Sequence, residues 1–303
     1  MLRSVALRTI TLPTKEGVET MAIPTAAGPA ERSRVRAAPR RRLLATVKGP
    51  IAQAGEMAIL LARVFWMAIS RPWGYWSDVR DQMFDMLKLC WIPMAVSCTA
   101  FGLGAPGLQG QNLFGLFGIP ERLGAFFVMA SIREFAPWVL AMVVAGVVGS
   151  AITADLGARR VREEIDAMEV LGIDPVRTLV LPRVIAVTIM IGFLDVVALT
   201  FGVLGGYIAG VPIGGANSAA FIGSLFNNLT VTDVWGSVAK TACFGLIMAV
   251  VCCYKGLNAS GGPNGVGRAV NQAVVVAFAA IFVFNFAYTA ILLGLNPDIQ
   301  VYR

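Results

Sequence analysis

Long apolar segments recur along this 303-residue chain and constrain its fold more than any other feature. Each of the last four is long enough to cross a bilayer as a helix, and a helix beginning near Ser77 leads into the first. The only charged side chains inside these segments belong to Asp195 and Lys240. The segments are 89–104, 135–154, 184–210, 234–254 and 269–295. Only 14% of the residues are charged, against roughly 25% in a soluble domain, so lipid must solvate much of the chain. The sequence predicts an all-α membrane protein with five transmembrane helices.

A sixth apolar stretch, residues 51–70, precedes these spans. Glu56 and Arg63 share one helical face there and leave no uncharged run long enough to span a bilayer. An amphipathic helix lying in the headgroup plane, an elbow helix before the first span, is therefore predicted. The aromatic residues that follow predict an anchor at the membrane interface. They are Trp73, Tyr75 and Trp76.

Residues 1–50 hold the excess of positive charge. They contain ten Lys/Arg against three Glu, which accounts for the whole net charge of +7. No aromatic residue is interleaved with the arginines, so no nucleic-acid partner is expected. We expect a basic, disordered cytoplasmic tail over 1–50 and a single membrane domain over 51–303.

The arginines between the spans orient the chain. The loop 155–183 carries five arginines and the loop 255–268 carries Lys255 and Arg268, whereas the other connections carry few cations or none. By the positive-inside rule, the N-terminus and these two loops face the cytoplasm and the C-terminus faces outside. The Gly-rich stretch up to Pro120 is predicted to be an outer loop or re-entrant segment. Periodicity leaves open whether 122–134 belongs to the second span.

A short charged segment connects the second and third spans. Val161, Ile165 and Met168 fall on one helical face, with Leu171 near it, and Gly172 and Pro175 end the helix. An apolar seam beside exposed acids suits docking onto a partner protein. Spacing alone leaves a second reading open, in which the helix is only a solvated connector.

The same segment resembles the MlaE/YrbE permease family. The family marks are an acidic pair followed by Asp-Ala, then Leu-Gly before a proline, then Pro-Arg. The matching positions are Glu163, Glu164, Asp166, Ala167, Leu171, Gly172, Pro175, Pro182 and Arg183. Upstream, the stretch from Arg133 to Pro137 is similar to the family's Arg-Glu-Leu-Gly-Pro, with Phe135-Ala136 in place of Leu-Gly. The loop from Cys253 to Asn271 is similar to the actinobacterial YrbE branch, of the A type, that works with Mce proteins. The resemblance covers roughly residues 55–295.

This resemblance implies a function and a set of site residues. The chain would be the membrane-spanning permease of an ABC-type lipid transporter of the Mce class, in a bacterial inner membrane, importing lipids such as fatty acids or sterols. The coupling helix that contacts the ATPase would comprise Arg162, Glu163, Glu164, Asp166, Ala167, Met168 and Glu169. The outer-side motif would comprise Arg133, Glu134 and Pro137. The cytoplasmic loop would comprise Lys255, Gly261, Gly262, Pro263, Gly265 and Gly267.

The resemblance also implies partner chains. These are a cytoplasmic ABC ATPase, a second YrbE-type permease that is a paralogue, and Mce-type lipid-binding proteins outside. The chain has no Gly-x-x-x-x-Gly-Lys-[Ser/Thr] phosphate loop, so ATP and Mg²⁺ are expected on the ATPase and no cofactor or metal on this chain.

Asp195 and Lys240 form a separate hypothesis. Asp195 lies near the midplane of the third span, and Lys240 enters the fourth span from the outer side. A lone charge at that depth costs at least a few kcal/mol. We therefore expect the two side chains to pair or to line a polar cavity.

A membrane-embedded lipid-modifying enzyme is the alternative function. Asp155, Gly157 and Arg159 faintly resemble a headgroup-transferase signature, but the further aspartates at the required spacing are missing. The chain has no histidine, which excludes a His-based triad and His-ligated zinc. A secondary carrier would need repeated halves or several intramembrane charges, and neither is visible.

Overall fold

The computed structural model describes residues 7–14, 17–24, 39–70 and 74–296, with side chains described for residue 49, residues 52–70 and residues 74–296. The chain divides into two units, Met1–Glu56 and Met57–Arg303. In the first unit, strands β1 (Leu7–Thr14) and β2 (Gly17–Pro24) form an antiparallel hairpin. The hairpin lies in the stretch for which the sequence predicts disorder, and the division at residue 50 stays a prediction. Trp73 lies outside the described residues.

Eight helices make up the rest of the described chain, and six of them contain a segment long and apolar enough to cross a membrane. They are α1 (Pro39–Ser70), α2 (Trp76–Leu116), α3 (Pro120–Val161), α4 (Glu164–Val170), α5 (Val176–Ile213), α6 (Ser218–Asn228), α7 (Val231–Leu257) and α8 (Gly262–Leu295). Five of the six, α2, α3, α5, α7 and α8, coincide with the predicted spans. The sixth apolar segment, Ala52–Ser70 of α1, is almost wholly exposed and corresponds to the predicted elbow helix.

Two predicted boundaries were wrong, and the structure answers the open question about residues 122–134. The Gly-rich stretch is helical as far as Leu116 and is not a loop, because a π-helical turn at Leu103–Leu108 accommodates Pro106. The segment 122–134 is continuous with the second span, so α3 is a single long helix. Helix α8 begins at Gly262, seven residues before the predicted start, which shortens the preceding loop to a few residues.

The long helices extend beyond the apolar part of a bilayer. Helix α3 has 42 residues, which corresponds to about 60 Å at 1.5 Å per residue, twice the roughly 30 Å of hydrocarbon. Helix α4 precedes the start of α5 and helix α6 follows its end, so these two short helices mark opposite ends of the bundle. We refer to them as the α4 end and the α6 end.

Glycines set the closest helix contacts in the core. A Cβ atom on Gly102 of α2 would clash with the carbonyl of Gly202 on α5, and one on Gly205 would clash with the carbonyl of Thr99. Close backbone approach of this kind gives van der Waals contact where lipid supplies no hydrophobic driving force between helices. The glycines of the third span therefore pack within the chain. Gly146 of α3, by contrast, has open space around it.

A cluster of buried apolar side chains lies at the α6 end. Phe221 and Leu225 of α6 pack against Leu123 and Phe127 at the start of α3. The side chain of Asn217 caps α6 by accepting the N–H of Ala220 at 3.2 Å. Helix α6 was not predicted from the sequence, because it is too short to stand out from the apolar spans beside it.

Candidate functional site

The charged segment between α3 and α5 forms a helix that breaks sharply from α3. Helix α3 ends at Val161, and Glu163 adopts a left-handed backbone conformation with φ of 61°. Helix α4 then runs to Val170 and is capped at Gly172, whose φ is 75°. The N–H of Ile173 closes the cap by donating to the carbonyl of Met168 at 2.9 Å. The predicted end of the coupling helix at Gly172 is therefore where the structure has it.

Helix α4 is only partly seated on the bundle. Ile165 is buried and Met168 is half-buried, so the apolar seam that was predicted to dock onto a partner protein is instead largely covered within this chain. Leu171, placed near that seam from its spacing, is 75% exposed because α4 ends one residue before it. Val170 is 88% exposed. The tip of α4 thus presents two large apolar side chains to the surroundings at the end of the bundle.

The acids of α4 fall into two groups. Glu164 pairs with Arg162 at 2.7 Å and lies 3.8 Å from Arg159, and Asp166 pairs with Arg160. Glu163 and Glu169 are exposed, and no ion pair within the described part of the chain involves either. Of the acids expected to meet a partner protein, Glu163 and Glu169 are the ones left available. Ala167 lies on the same exposed side.

The end of α3, just before α4, packs on the ends of α7 and α8. A Cβ atom on Gly256 would lie 2.7 Å from that of Leu156, and one on Gly157 would lie 3.1 Å from a methyl carbon of Val266. Asp155 forms ion pairs with Arg159, at 3.2 Å, and with Arg183. Asp155, the first residue of the faint resemblance to a headgroup transferase, is thus held in ion pairs within the chain.

The predicted cytoplasmic loop is the short turn between α7 and α8. Gly261 and Gly262 have φ of 90° and 69°, a conformation that side chains disfavour, and a Cβ on Gly265 would clash with the carbonyl of Ser260. Lys255 donates to Gln272 at 3.3 Å. Pro263 occupies the first turn of α8, where its missing N–H costs nothing, and Gly267 has open space around it. These residues therefore shape the turn beside which Gly157, near the end of α3, packs.

A polar cluster lies inside the bundle toward the α6 end. Arg133, in a π-helical part of α3, donates to Asp233 at 2.7 Å, and both side chains are largely buried. Asp233 also forms a capping box with Thr230 at the start of α7. One carboxylate thus both caps a helix and neutralises the arginine.

Lys240 belongs to the same cluster. Its ammonium donates to the backbone carbonyl of Arg133 at 2.7 Å and to Glu134 at 3.2 Å, and its side chain is 2% exposed. In an α-helix the N–H of residue 137 would bond that carbonyl, but Pro137 has no N–H. The motif therefore supplies Lys240 with both the carboxylate of Glu134 and the backbone carbonyl of Arg133.

Two residues of α8 complete the cluster. Thr289 and Asn285 donate to the two oxygens of Glu134 at 2.7 and 2.8 Å. The side chain of Glu134 is 34% exposed, so the cluster opens at this point. Sequence reasoning missed Asn285, Thr289 and Asp233. The Thr230-x-x-Asp233 capping pattern and a lone asparagine within an apolar run were the signals available.

Asp195 lies beside this cluster without joining its ion pairs. It is fully buried and accepts a hydrogen bond from Ser237 at 2.7 Å, while its second oxygen has no hydrogen-bond partner in the described structure. Ser237 lies one turn before Lys240 on α7. The structure thus brings Asp195 and Lys240 into one polar region, but they do not pair with each other. Lys240 bonds to Glu134, and Asp195 accepts a hydrogen bond from Ser237.

Comparison with known proteins gives a consistent result. The family described as Permease MlaE matches residues 79–291. A probable ABC transporter permease protein of Rickettsia typhi is 34% identical over 80% of this chain and 93% of its own length. One of Synechocystis is 38% identical over 59% of this chain and 68% of its own. The chloroplast protein trigalactosyldiacylglycerol 1 of Arabidopsis thaliana is 32% identical over 60% of this chain and 52% of its own.

The family match includes every span from α2 to α8, both ends of the bundle and all the site residues described above. With the apolar helices, these matches establish a multi-pass membrane protein that serves as a transporter subunit. The chain belongs to the MlaE permease family of ABC transporters.

Proposed function

We propose that this chain moves lipids through the cell membrane, as the permease of a transporter driven by a separate cytoplasmic ABC ATPase. The exposed tip of α4 carries the proposal. Val170 and Leu171 are 88% and 75% exposed at the end of α4. Ile165 is the one buried side chain of this helix. Apolar side chains left exposed beside acids are typical of a binding surface.

The tip suits a groove in the ATPase subunit. Val170 and Leu171 would fill an apolar pocket, while Glu163 and Glu169 would meet Arg or Lys at its rim. Helix α4 follows the end of α3, where Leu156 contacts Gly256 of α7 and Gly157 contacts Val266 of α8, so a push on the tip would reach the membrane helices through α3. ATP and Mg²⁺ would bind the ATPase, and no cofactor would bind this chain.

The polar cluster supports a lipid cargo. Glu134 opens the cluster to the outside of the chain, between helices whose other surfaces are apolar. A lipid has the same division between a polar head and apolar tails. The Arabidopsis relative carries the name of a galactolipid, which is consistent with this class of cargo.

Further partners complete the proposal. Most of α8 is exposed within this chain, including Phe286 at 79% beside Asn285 and Thr289. A second permease subunit of the YrbE type, a paralogue, would cover this face and close the cluster around the cargo. Mce-type proteins would meet the α6 end outside a bacterial inner membrane, with the N-terminus in the cytoplasm and the C-terminus outside, and import would be the direction.

Co-purification tests the docking step. The double variant Val170→Asp/Leu171→Asp should lose at least tenfold of the ABC ATPase subunit that co-purifies with the wild type, and Glu163→Lys/Glu169→Lys should lose several-fold. Glu164→Gln is the matched control, because Glu164 is already paired within the chain. Wild-type recovery of the ATPase subunit with Val170→Asp/Leu171→Asp would contradict the proposal.

Cargo is tested by reconstitution. The complex in liposomes should transfer a fluorescent phospholipid, fatty acid or sterol when ATP is supplied, and Glu134→Gln should reduce the rate while ATPase binding is retained. If a complex that hydrolyses ATP transfers none of these three lipids, the proposal of a lipid cargo is refuted.

A further inference from the structure

A cavity of about 740 Å³ opens at the α4 end, beside the segment that follows the tip of α4 and away from the polar cluster. Three segments enclose it: the end of α1, the start of α2, and the chain from Gly172 into α5. Its volume lies within the roughly 300–1,000 Å³ typical of small-molecule sites. It is therefore large enough for the headgroup of a lipid.

The wall of this cavity is fixed by side-chain contacts. Arg63 of α1 pairs with Asp174 at 3.0 Å, which ties the elbow helix to the segment after α4. The second oxygen of Asp174 accepts the N–H of Val176 at 3.0 Å and caps the start of α5. One carboxylate thus joins two of the three walls.

Two opposite charges line the cavity and remain available. Arg177 has no hydrogen-bond or ion-pair partner among the described residues. The carboxylate of Asp78 has one contact there, at 3.5 Å from the hydroxyl of the adjacent Ser77. No ion pair joins Arg177 to Asp78 within the described residues. A ligand with one positive and one negative group would satisfy both, whereas a purely anionic or purely cationic ligand would meet a like charge.

The surroundings place the cavity at the membrane interface. Trp66 and Tyr75 line it, and aromatic residues of this kind sit at the headgroup level of a bilayer. Ile59 and Ile69 of α1 are 70% and 75% exposed, which gives the elbow helix an apolar face for lipid. The tails of a lipid could therefore lie along α1 while its headgroup enters the cavity.

We propose that this cavity binds the headgroup of a zwitterionic phospholipid. The guanidinium of Arg177 pairs with the phosphodiester, for which its planar fork is suited. The ammonium lies against Asp78, with the Tyr75 and Trp66 rings contributing cation–π attraction. The bound lipid would hold the elbow helix against the segment that follows α4. This site is separate from the transported cargo, and the inference stands without the transport proposal.

Native mass spectrometry of the full-length protein tests the inference. The protein is released from nanodiscs that contain equal amounts of phosphatidylethanolamine and phosphatidylglycerol, and the retained lipid is identified. The wild type should retain one phosphatidylethanolamine in preference to phosphatidylglycerol. Arg177→Gln should reduce retention of both lipids at least fivefold, and Asp78→Asn should abolish the preference. Arg122→Gln at the opposite end is the matched control and should behave as the wild type.

Two further arms sharpen the test. Arg177→Lys keeps the charge without the bidentate fork and should retain less lipid than the wild type, which provides a readout if Arg177→Gln does not fold. Soluble glycerophosphoethanolamine carries the same headgroup without tails, and it should compete only at concentrations at least a hundredfold higher. Equal retention by the wild type, Arg177→Gln and Arg177→Lys would overturn the site. Competition by the soluble compound at lipid-like concentrations would overturn its assignment to a membrane lipid.

Discussion

Replacing Lys240 with methionine tests how the polar cluster is held together. The change removes the cation that bonds the Arg133 carbonyl at 2.7 Å and Glu134 at 3.2 Å, and it leaves Glu134 without a neutralising charge. Breaking a buried ion pair costs about 3–5 kcal/mol. Glu134 is 34% exposed, so water screens part of this loss and we expect about 2–3 kcal/mol.

A double-mutant cycle separates the ion pair from packing. Glu134→Gln alone should also destabilise, because Lys240 then lacks a carboxylate. The double variant should cost at least about 1 kcal/mol less than the sum of the two single variants, since it contains neither unpaired charge. The measurement is the free energy of unfolding in mixed micelles titrated with dodecyl sulfate. Lys88→Met is the control, because Lys88 is exposed and lies over the Phe84 ring, and it should change stability by less than about 1 kcal/mol. Additive effects of the two single changes would refute the pairing of Lys240 with Glu134.

Three further predictions use the same stability assay. Gly205→Ala should lower the free energy of unfolding by about 1–3 kcal/mol, because the new Cβ clashes with the Thr99 carbonyl. Gly146→Ala is the control and should be neutral or stabilising, because Gly146 has open space around it. Equal effects of the two changes would contradict the packing of α2 on α5. Glu163→Gly should stabilise the protein by up to about 1 kcal/mol, because glycine accepts the φ of 61°, whereas Glu163→Val should destabilise it. A valine variant more stable than the glycine variant would contradict the sharp break before α4. Asp195→Asn should stay within about 0.5 kcal/mol of the wild type because Ser237 can still donate to it, whereas Asp195→Leu should cost about 1–3 kcal/mol; a large loss with asparagine would show that Asp195 must be charged.

The apolar runs predicted the position and order of the five helices α2, α3, α5, α7 and α8, because a membrane-crossing helix must be apolar over its whole bilayer length. They did not predict where the helices end. Gly107 and Pro106 suggested a loop, yet α2 continues through them because other parts of the chain cover its backbone. Helix ends inside a protein-packed region depend on tertiary contacts that periodicity does not contain.

The site was predicted unevenly for a related reason. The end of α4 followed from Gly172 and Pro175, which act locally. The partner of Lys240 did not follow from depth along the helices, since depth leaves rotation about each helix axis undetermined. Glu134, between two buried stretches of α3, faces Lys240, whereas Asp195 faces Ser237.

Cross-linking from the tip of α4 measures the docking claim most directly. Cys90, Cys98, Cys252 and Cys253 are buried, so a cysteine at Leu171 can be labelled selectively once Cys243 is replaced by serine. In membranes that contain the whole transporter, Leu171→Cys should cross-link to the ABC ATPase subunit, with a yield that changes on ATP addition. Leu113→Cys, half-exposed near the end of α2, is the control and should not. Absence of an ATPase cross-link at Leu171, in a complex that still transports, would contradict the assignment of α4 as the docking helix.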